Sequence, residues 1–134
     1  MPTDTGLDPR RLDQQASVLM KQGIGLLAAG GAASVPEALG CFDQALALRM
    51  QLPVEVPGFR YGLAAGWLNR AEALMLSGDA ASAGEAIEAC DQAIALLRAL
   101  PLDADPRFPR RLAIAYQHRG LALLAQDSSH PAPA

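Results

Sequence analysis

The chain has 134 residues and a formal net charge of −3; 51% of its residues are hydrophobic and 19% are charged. This composition is too apolar for a disordered chain, and it lacks the basic excess that is typical of nucleic-acid-binding proteins. No uninterrupted apolar run reaches the roughly 18 residues of a membrane span, and the N-terminus lacks the pattern of a signal peptide, so we expect a cytoplasmic protein with no membrane and no nucleic-acid partner.

Alanine accounts for 27 residues, whereas the β-branched residues that favour strands are scarce, which predicts an all-α fold. Residues 1–8 are expected to form a flexible head. Apolar residues at spacings of three and four predict a first helix from about Leu12 to Leu27, and the Gly30-Gly31 pair ends it. A second helix begins near Ser34, which is the candidate N-cap, and Pro53 ends it.

The remaining elements follow the same pattern. A third helix is predicted from about Phe59 to Leu76, and Gly78-Asp79 forms the turn after it. A fourth helix runs from about Ala81 to Leu100, and a fifth from about Pro109 to Gln126. Residues 128–134 form a flexible tail. We therefore predict one helical domain over residues 9–127.

An internal repeat of about 48 residues organises these helices. Residues 19–53 match residues 67–101 at 14 of 35 positions. A third copy begins at Tyr116–Leu123, which aligns with Trp67–Leu74 after one inserted residue, but only the first helix of this copy is present. Repeats of this length form stacked units that bury their apolar faces against one another. The repeat units are predicted at about 12–53, 59–101 and 108–126.

The repeat resembles the tetratricopeptide repeat (TPR), in which a bulky residue and a small residue recur on the first helix, and Ala, an aromatic residue and Ala recur on the second. The first-helix positions are Leu19 and Gly23, Trp67 and Ala71, and Tyr116 and Gly120. The second-helix positions are Ala38, Phe42 and Ala45, and Ala86, Cys90 and Ala93. The resemblance implies a five-helix antiparallel hairpin stack, a TPR-like α-solenoid of two and a half repeats.

The chain departs from the family pattern in the same way in each copy. Its period is about 48 residues instead of 34. Gln22, Arg70 and Arg119 replace the usual Leu, and Leu26, Leu74 and Leu123 occupy a position that is commonly aromatic. These departures predict a stack of related topology with a curvature of its own.

Proteins of the family typically bind a peptide or a partner helix in a groove lined by the first helix of each repeat. The resemblance therefore implies a non-catalytic protein–protein interaction module, an adaptor or scaffold. One subfamily holds a partner's C-terminal carboxylates with a clamp of basic and Asn residues, and of the implied groove residues only Asn69 fits that clamp. The implied groove residues are Met20, Lys21, Ile24, Leu27, Leu68, Asn69, Glu72, Met75, Ile114, His118 and Leu121.

Two alternatives stay open at this point. The apolar face of the fifth helix has no sixth helix to cover it, so the chain could instead close a structural homodimer through that helix. A small-molecule-binding subunit of an enzyme system is the third reading. Independently of these two, the implied groove residues could pack internally or at a dimer interface instead of binding a ligand.

Charged residues that recur at equivalent repeat positions allow two interpretations of their role. Arg70 and Arg119 could hold acidic groups of a partner, or they could pair with nearby carboxylates of the chain, which we favour. The recurring Asp43 and Asp91 fit a solvated helix face or a link to the next linker's backbone.

The chain carries no recognisable catalytic or metal-binding pattern. Cys41 and Cys90 fall in apolar helical patterns and are expected to be small core residues and not a disulfide. The two histidines, His118 and His130, have no further ligands at zinc-site spacing. We therefore expect no enzyme activity, no cofactor and no metal.

Overall fold

The computed structural model describes residues 8–128. Most of the predicted head, residues 1–7, and most of the predicted tail, residues 129–134, lie outside this range. Within it, 85% of the residues are helical and none is in a strand, which confirms the all-α prediction. The α-helices are α1 (Pro9–Gly30), α2 (Val35–Arg49), α3 (Pro57–Ser77), α4 (Ala80–Arg98) and α5 (Arg107–Ser128).

The first two helices follow one another without an intervening loop, because a short 3-10 helix at Gly31–Ser34 joins α1 directly to α2. Counted by unbroken runs, the described residues form four helices, whereas the sequence pattern predicted five. The chain reverses at Gly31, whose φ of 56° is accessible to glycine at little cost. Ser34 makes no capping hydrogen bond, contrary to prediction, because its backbone is itself helical and an N-cap residue needs extended backbone.

The other helix ends follow local sequence signals. The Asp8 side chain accepts a hydrogen bond from the Arg10 amide, and Pro9 takes the first position of α1. Helix α3 ends at Gly78 in the left-handed conformation, with φ 77°. Asp79 then caps α4 by accepting from the Ser82 amide at 2.8 Å and from its hydroxyl at 3.0 Å, which lowers the pKa of the Asp79 carboxyl.

Each helix packs against the next one along the chain, and α3 also contacts both α1 and α5. The interior holds two clusters of buried side chains. One joins α3, α4 and α5 around Leu68, Cys90 and Leu97, and the other joins α1 and α2 around Met20 and Phe42. Alanines fill most of the remaining core positions, so the helix axes approach closely.

The segments after α2 and α4 are anchored in the same way. Leu52 and Leu100, which are equivalent in the two repeats, are both buried immediately before a proline. Each leucine contributes on the order of 1.5–3 kcal/mol when it leaves water. The repeat therefore extends to the packing of the linkers.

One helical run, Pro9–Arg49, contains an 18-residue window that is long and apolar enough to cross a membrane, judged by length and composition alone. Core helices of soluble proteins and signal sequences share this length and composition. In this structure the run includes the reversal at Gly31, and α1 packs against α2.

Candidate functional site

A groove runs between α3 and α5, the first helices of the second and third repeats. Positions 107, 111, 114, 118 and 121 of α5 recur at intervals of three and four, which places them on one face of the helix. From Arg107 to Leu121 this face is about 21 Å long at 1.5 Å per residue. We call it the α3/α5 groove, and it has two chemically different ends.

The C-terminal end of the α3/α5 groove is an apolar pocket of about 290 Å³. Its lining residues are Glu72, Met75, Leu76, His118 and Leu121. At its rim the two helices are joined by His118, whose Nε2 lies 2.9 Å from Glu72 Oε1 and whose Nδ1 lies 2.9 Å from the carbonyl oxygen of Ile114. Flexible Met75 suits a pocket that adapts to different apolar side chains.

The N-terminal end of the same groove is a basic pocket of about 210 Å³, lined by Tyr61, Arg107, Arg110, Arg111 and Ile114. The guanidinium carbons of Arg107 and Arg111 lie 5.2 Å and 5.5 Å from the centre of the Tyr61 ring, within the range of a cation–π contact. Arg111 Nε also donates to the Tyr61 hydroxyl at 3.3 Å.

The charge of the basic pocket is only partly neutralised. Arg107 forms a bidentate pair with Asp105, with distances of 2.8–3.2 Å. The hydrogen bonds from Arg107 lower the pKa of the Asp105 carboxyl, and the pKa of Arg107 is raised in turn. Within the described residues neither Arg110 nor Arg111 forms a salt bridge. Exposed guanidinium groups in this arrangement can bind a carboxylate or a phosphate.

The structure brings together five of the eleven predicted groove residues. Glu72, Met75, His118 and Leu121 line the apolar pocket, and Ile114 lines the basic one. The sequence reading missed Leu76, Tyr61 and the three arginines. The run Arg107-Phe108-Pro109-Arg110-Arg111 was a visible signal, but it precedes the segment that matches the family pattern.

Two residues that were predicted to line the groove are buried in the core instead. Met20 is 6% exposed and Leu68 is 2% exposed, because both side chains point between helices into the core. Lys21, Ile24 and Leu27 of α1, and Asn69 of α3, line neither pocket. Ile24 is nevertheless exposed, whereas Leu27 packs against the α1/α2 cluster.

The recurring arginines pair with the recurring aspartates. Arg70 Nε donates to Asp43 Oδ1 at 2.8 Å, and Arg119 Nε donates to Asp91 Oδ1 at 2.6 Å. The favoured structural reading of both arginines is thus confirmed. The aspartates are exposed as predicted, but they bind these arginines in place of a linker backbone.

A buried arginine, Arg49, is a feature that the repeat pattern did not reveal. Its Nη1 donates a hydrogen bond to the Gly62 carbonyl oxygen at 2.7 Å, and its Nη2 donates one to Ser17 Oγ at 3.2 Å. Asp13 Oδ1 lies 3.7 Å from the Arg49 Nε. Burial lowers the pKa of Arg49, and Asp13 opposes this effect. The side chain joins α1, α2 and α3, and its equivalent in the second repeat is the buried Leu97.

The remaining candidate residues carry no assembled site. Cys41 is half-buried and Cys90 is buried, and both are free thiols. His130 lies outside the described residues. Among residues 8–128 no group of three or more His, Cys, Asp or Glu side chains is placed to hold a metal ion. A further cavity of about 440 Å³ lies between α2, α3 and α4 and includes Met50, Trp67 and Arg70.

Comparison with known proteins found no matching family model, no matching curated protein and no matching solved structure. The resemblance to tetratricopeptide repeats therefore stays a prediction from the internal repeat.

Proposed function

We propose that this chain is a non-catalytic, TPR-like interaction module of the cytoplasm that binds a peptide or helix of a partner protein. In this proposal α1 and α2 count as separate helices, so the chain is a five-helix hairpin stack of two and a half repeats. The proposed binding site is the α3/α5 groove, and the exposed Ile24 and Lys21 of α1 would extend the binding surface beyond its two pockets.

The observation that carries the proposal is the polarity of the groove. An apolar pocket at Met75 and Leu121 and a basic pocket at Arg110 and Arg111 lie on one helical face, about 21 Å apart at most. That length accommodates about four turns of helix, or about six residues of extended peptide. The partner segment would carry an acidic group toward the N-termini of α3 and α5 and apolar side chains toward their C-termini.

A pull-down with matched variants tests the groove. The tagged chain, a Met75→Glu variant and a Met50→Glu variant are incubated with lysate of the source organism, and the bound proteins are identified by mass spectrometry. Met50 is exposed immediately after the end of α2 and lines neither pocket of the groove, so it is the control for the same change in charge. Leu68→Glu is unsuitable, because Leu68 is buried and the variant would lose stability.

We expect a partner that is retained by the Met50→Glu variant and lost by the Met75→Glu variant. Arg110→Glu combined with Arg111→Glu should weaken the same partner, and this part of the affinity should fall as salt concentration rises. Retention of every captured protein by the folded Met75→Glu variant would show that the groove is not the binding site.

The homodimer remains a second candidate because α5 exposes Tyr116, Leu121, Leu123 and Leu124. Sedimentation equilibrium at several concentrations separates the two candidates. A monomer at high micromolar concentration would contradict the homodimer and leave the groove proposal standing.

A further inference from the structure

The first helix of each repeat presents the same three positions on one face. They are Leu19, Gly23 and Leu26 in α1, Trp67, Ala71 and Leu74 in α3, and Tyr116, Gly120 and Leu123 in α5. Because the spacings of four and three are identical, the three positions point in the same direction from each helix. The first two copies show what this face contacts.

In α1 and α3 this face is covered by the helix that follows. The Phe42 ring of α2 lies over Gly23, so close that a β-carbon added there would be 2.5 Å from Phe42 Cε1. In the second repeat Ala71 and Leu74 belong to the cluster that contains Ala86, Cys90 and Ala93 of α4. Both covering helices therefore use the same positions of the repeat.

In α5 the equivalent face is open. Tyr116 is 48% exposed and Leu123 is 41% exposed, whereas the equivalent Leu74 is 2% exposed. Within residues 8–128, no atom of another element lies within 4 Å of a β-carbon built at Gly120. Among the described elements α5 packs only against α3 and α4. We call the surface of Tyr116, Gly120 and Leu123 the open α5 face.

Charge identifies one further requirement of a helix that would cover this face. Arg70 forms a salt bridge with Asp43 of the preceding helix, and its Nη2 also lies 3.7 Å from Oε2 of Glu85 on the following helix. Arg119 binds the equivalent Asp91 but has no second carboxylate within the described residues, and its side chain is more exposed than that of Arg70. A glutamate on a covering helix would complete the arrangement at Arg119 as Glu85 does at Arg70.

We propose that the open α5 face docks an α-helix of a partner protein with the pattern Glu-Ala-x-x-x-Phe-x-x-Ala. Helix α2 carries this pattern as Glu37-Ala38, Phe42 and Ala45, and α4 carries it as Glu85-Ala86 and Ala93, with Cys90 in the place of Phe. The version with Phe is the one that fits, because position 120 is Gly, as in the Gly23–Phe42 pair. The proposal rests on the repeat alone and does not depend on the α3/α5 groove.

A synthetic peptide with the sequence of residues 34–50 provides the probe. The labelled peptide is titrated with the full chain under reducing conditions, and binding is followed by fluorescence anisotropy. We expect saturable binding that weakens at least tenfold when the peptide carries Phe42→Ala. Glu37→Lys in the peptide should weaken binding and reduce its salt dependence, because the contact with Arg119 is lost.

Protein variants locate the binding surface. Gly120→Phe fills the open α5 face and should abolish binding, and Leu123→Glu should do the same. Gly40→Phe is the matched control, because Gly40 on α2 also has nothing within 4 Å of its β-carbon position. Met75→Glu should bind the peptide normally, which separates this surface from the α3/α5 groove. Thermal unfolding by circular dichroism checks that each variant is folded.

Three results would overturn the proposal. The first is the absence of saturable binding. The second is binding that Gly120→Phe and Leu123→Glu leave unchanged, because the peptide would then have displaced α2 from its own place. The third is a wild-type dimer that Gly120→Phe converts to a monomer, because a second copy would then be the occupant of the face.

Discussion

In each of the two complete repeats, a small side chain on the first helix is matched to the size of the side chain that packs against it from the second helix. Gly23 faces the fully buried ring of Phe42, whereas the equivalent positions in the second repeat are Ala71 and Cys90. A smaller residue on one helix thus accompanies a larger one on the other. This complementarity keeps the packing density of the core constant while the sequence changes.

We predict that Gly23→Ala destabilises the chain by about 1–3 kcal/mol, because the new methyl group would overlap the Phe42 ring and the ring has no free space. Gly25→Ala is the control on the same helix. It has open space at its β-carbon and should gain about 0.5–1 kcal/mol from helix propensity. Urea unfolding of both variants measures the difference.

Combining Gly23→Ala with Phe42→Cys reproduces the residue pair of the second repeat. The double variant should be less destabilised than the sum of the two single variants, since each change relieves the other. Strict additivity would contradict the size-matching interpretation.

The buried Cys90 thiol should be chemically inert. Burial raises its pKa to about 11, and the neighbouring Asp91 adds to this effect, while Arg119 opposes it. At pH 8 iodoacetamide should therefore modify Cys41 and spare Cys90 in the folded chain, as peptide mass mapping would show. The pH dependence has a definite sign. Because the thiol binds its proton more tightly when folded, its contribution to stability falls as pH rises from 9 to 11. Equal modification of both cysteines would contradict the prediction.

At the scale of the helices, Arg49 is where the first repeat differs most from the second. Its guanidinium joins three helices through Gly62, Ser17 and Asp13, whereas Leu97 fills the equivalent place with apolar contacts. Because the Arg49 guanidinium is buried while Asp13 is partly exposed and 3.7 Å away, desolvation of the guanidinium offsets much of the attraction between the two groups. The two repeats therefore hold their helices together by different interactions, polar at Arg49 and apolar at Leu97.

We predict that Arg49→Ala costs about 1–3 kcal/mol of stability, because the Gly62 carbonyl loses its partner and the apolar stem is removed. Arg49→Leu, which copies the second repeat, should stay within about 1 kcal/mol of the wild type. The free energy of unfolding in urea distinguishes these outcomes. An equal loss in both variants would show that the hydrogen bonds, and not the packing, account for the effect.

For the molecule as a whole, contacts are local along the stack. Helix α3 touches α1, α2, α4 and α5, whereas α1 and α5 do not touch each other among the described elements. We predict that amide hydrogen exchange is slowest in α3 and α4 and fastest in the exposed end of α5, because helices packed on several sides open less often. Slow exchange in α5 of the monomer would contradict this, whereas protection that appears only with a bound helix would support the open α5 face.

The sequence by itself predicted the all-α class and the repeat. Apolar spacing and glycine pairs are local signals, so they also placed the helices to within a few residues of Pro9–Gly30 and Ala80–Arg98. The pairing of Arg70 and Arg119 with nearby carboxylates was favoured because the arginines recur at the same repeat position, but which carboxylates they bind was not predicted.

Tertiary structure decided which face of each helix is buried. Met20 and Leu68 were predicted to line a groove and lie in the core, because the rotation of a helix about its axis is fixed by all of its neighbours and not by its own pattern. The basic pocket formed by Tyr61 and the α5 arginines likewise brings together residues about 50 positions apart. Only the packing of α3 beside α5 places such residues within reach of one another.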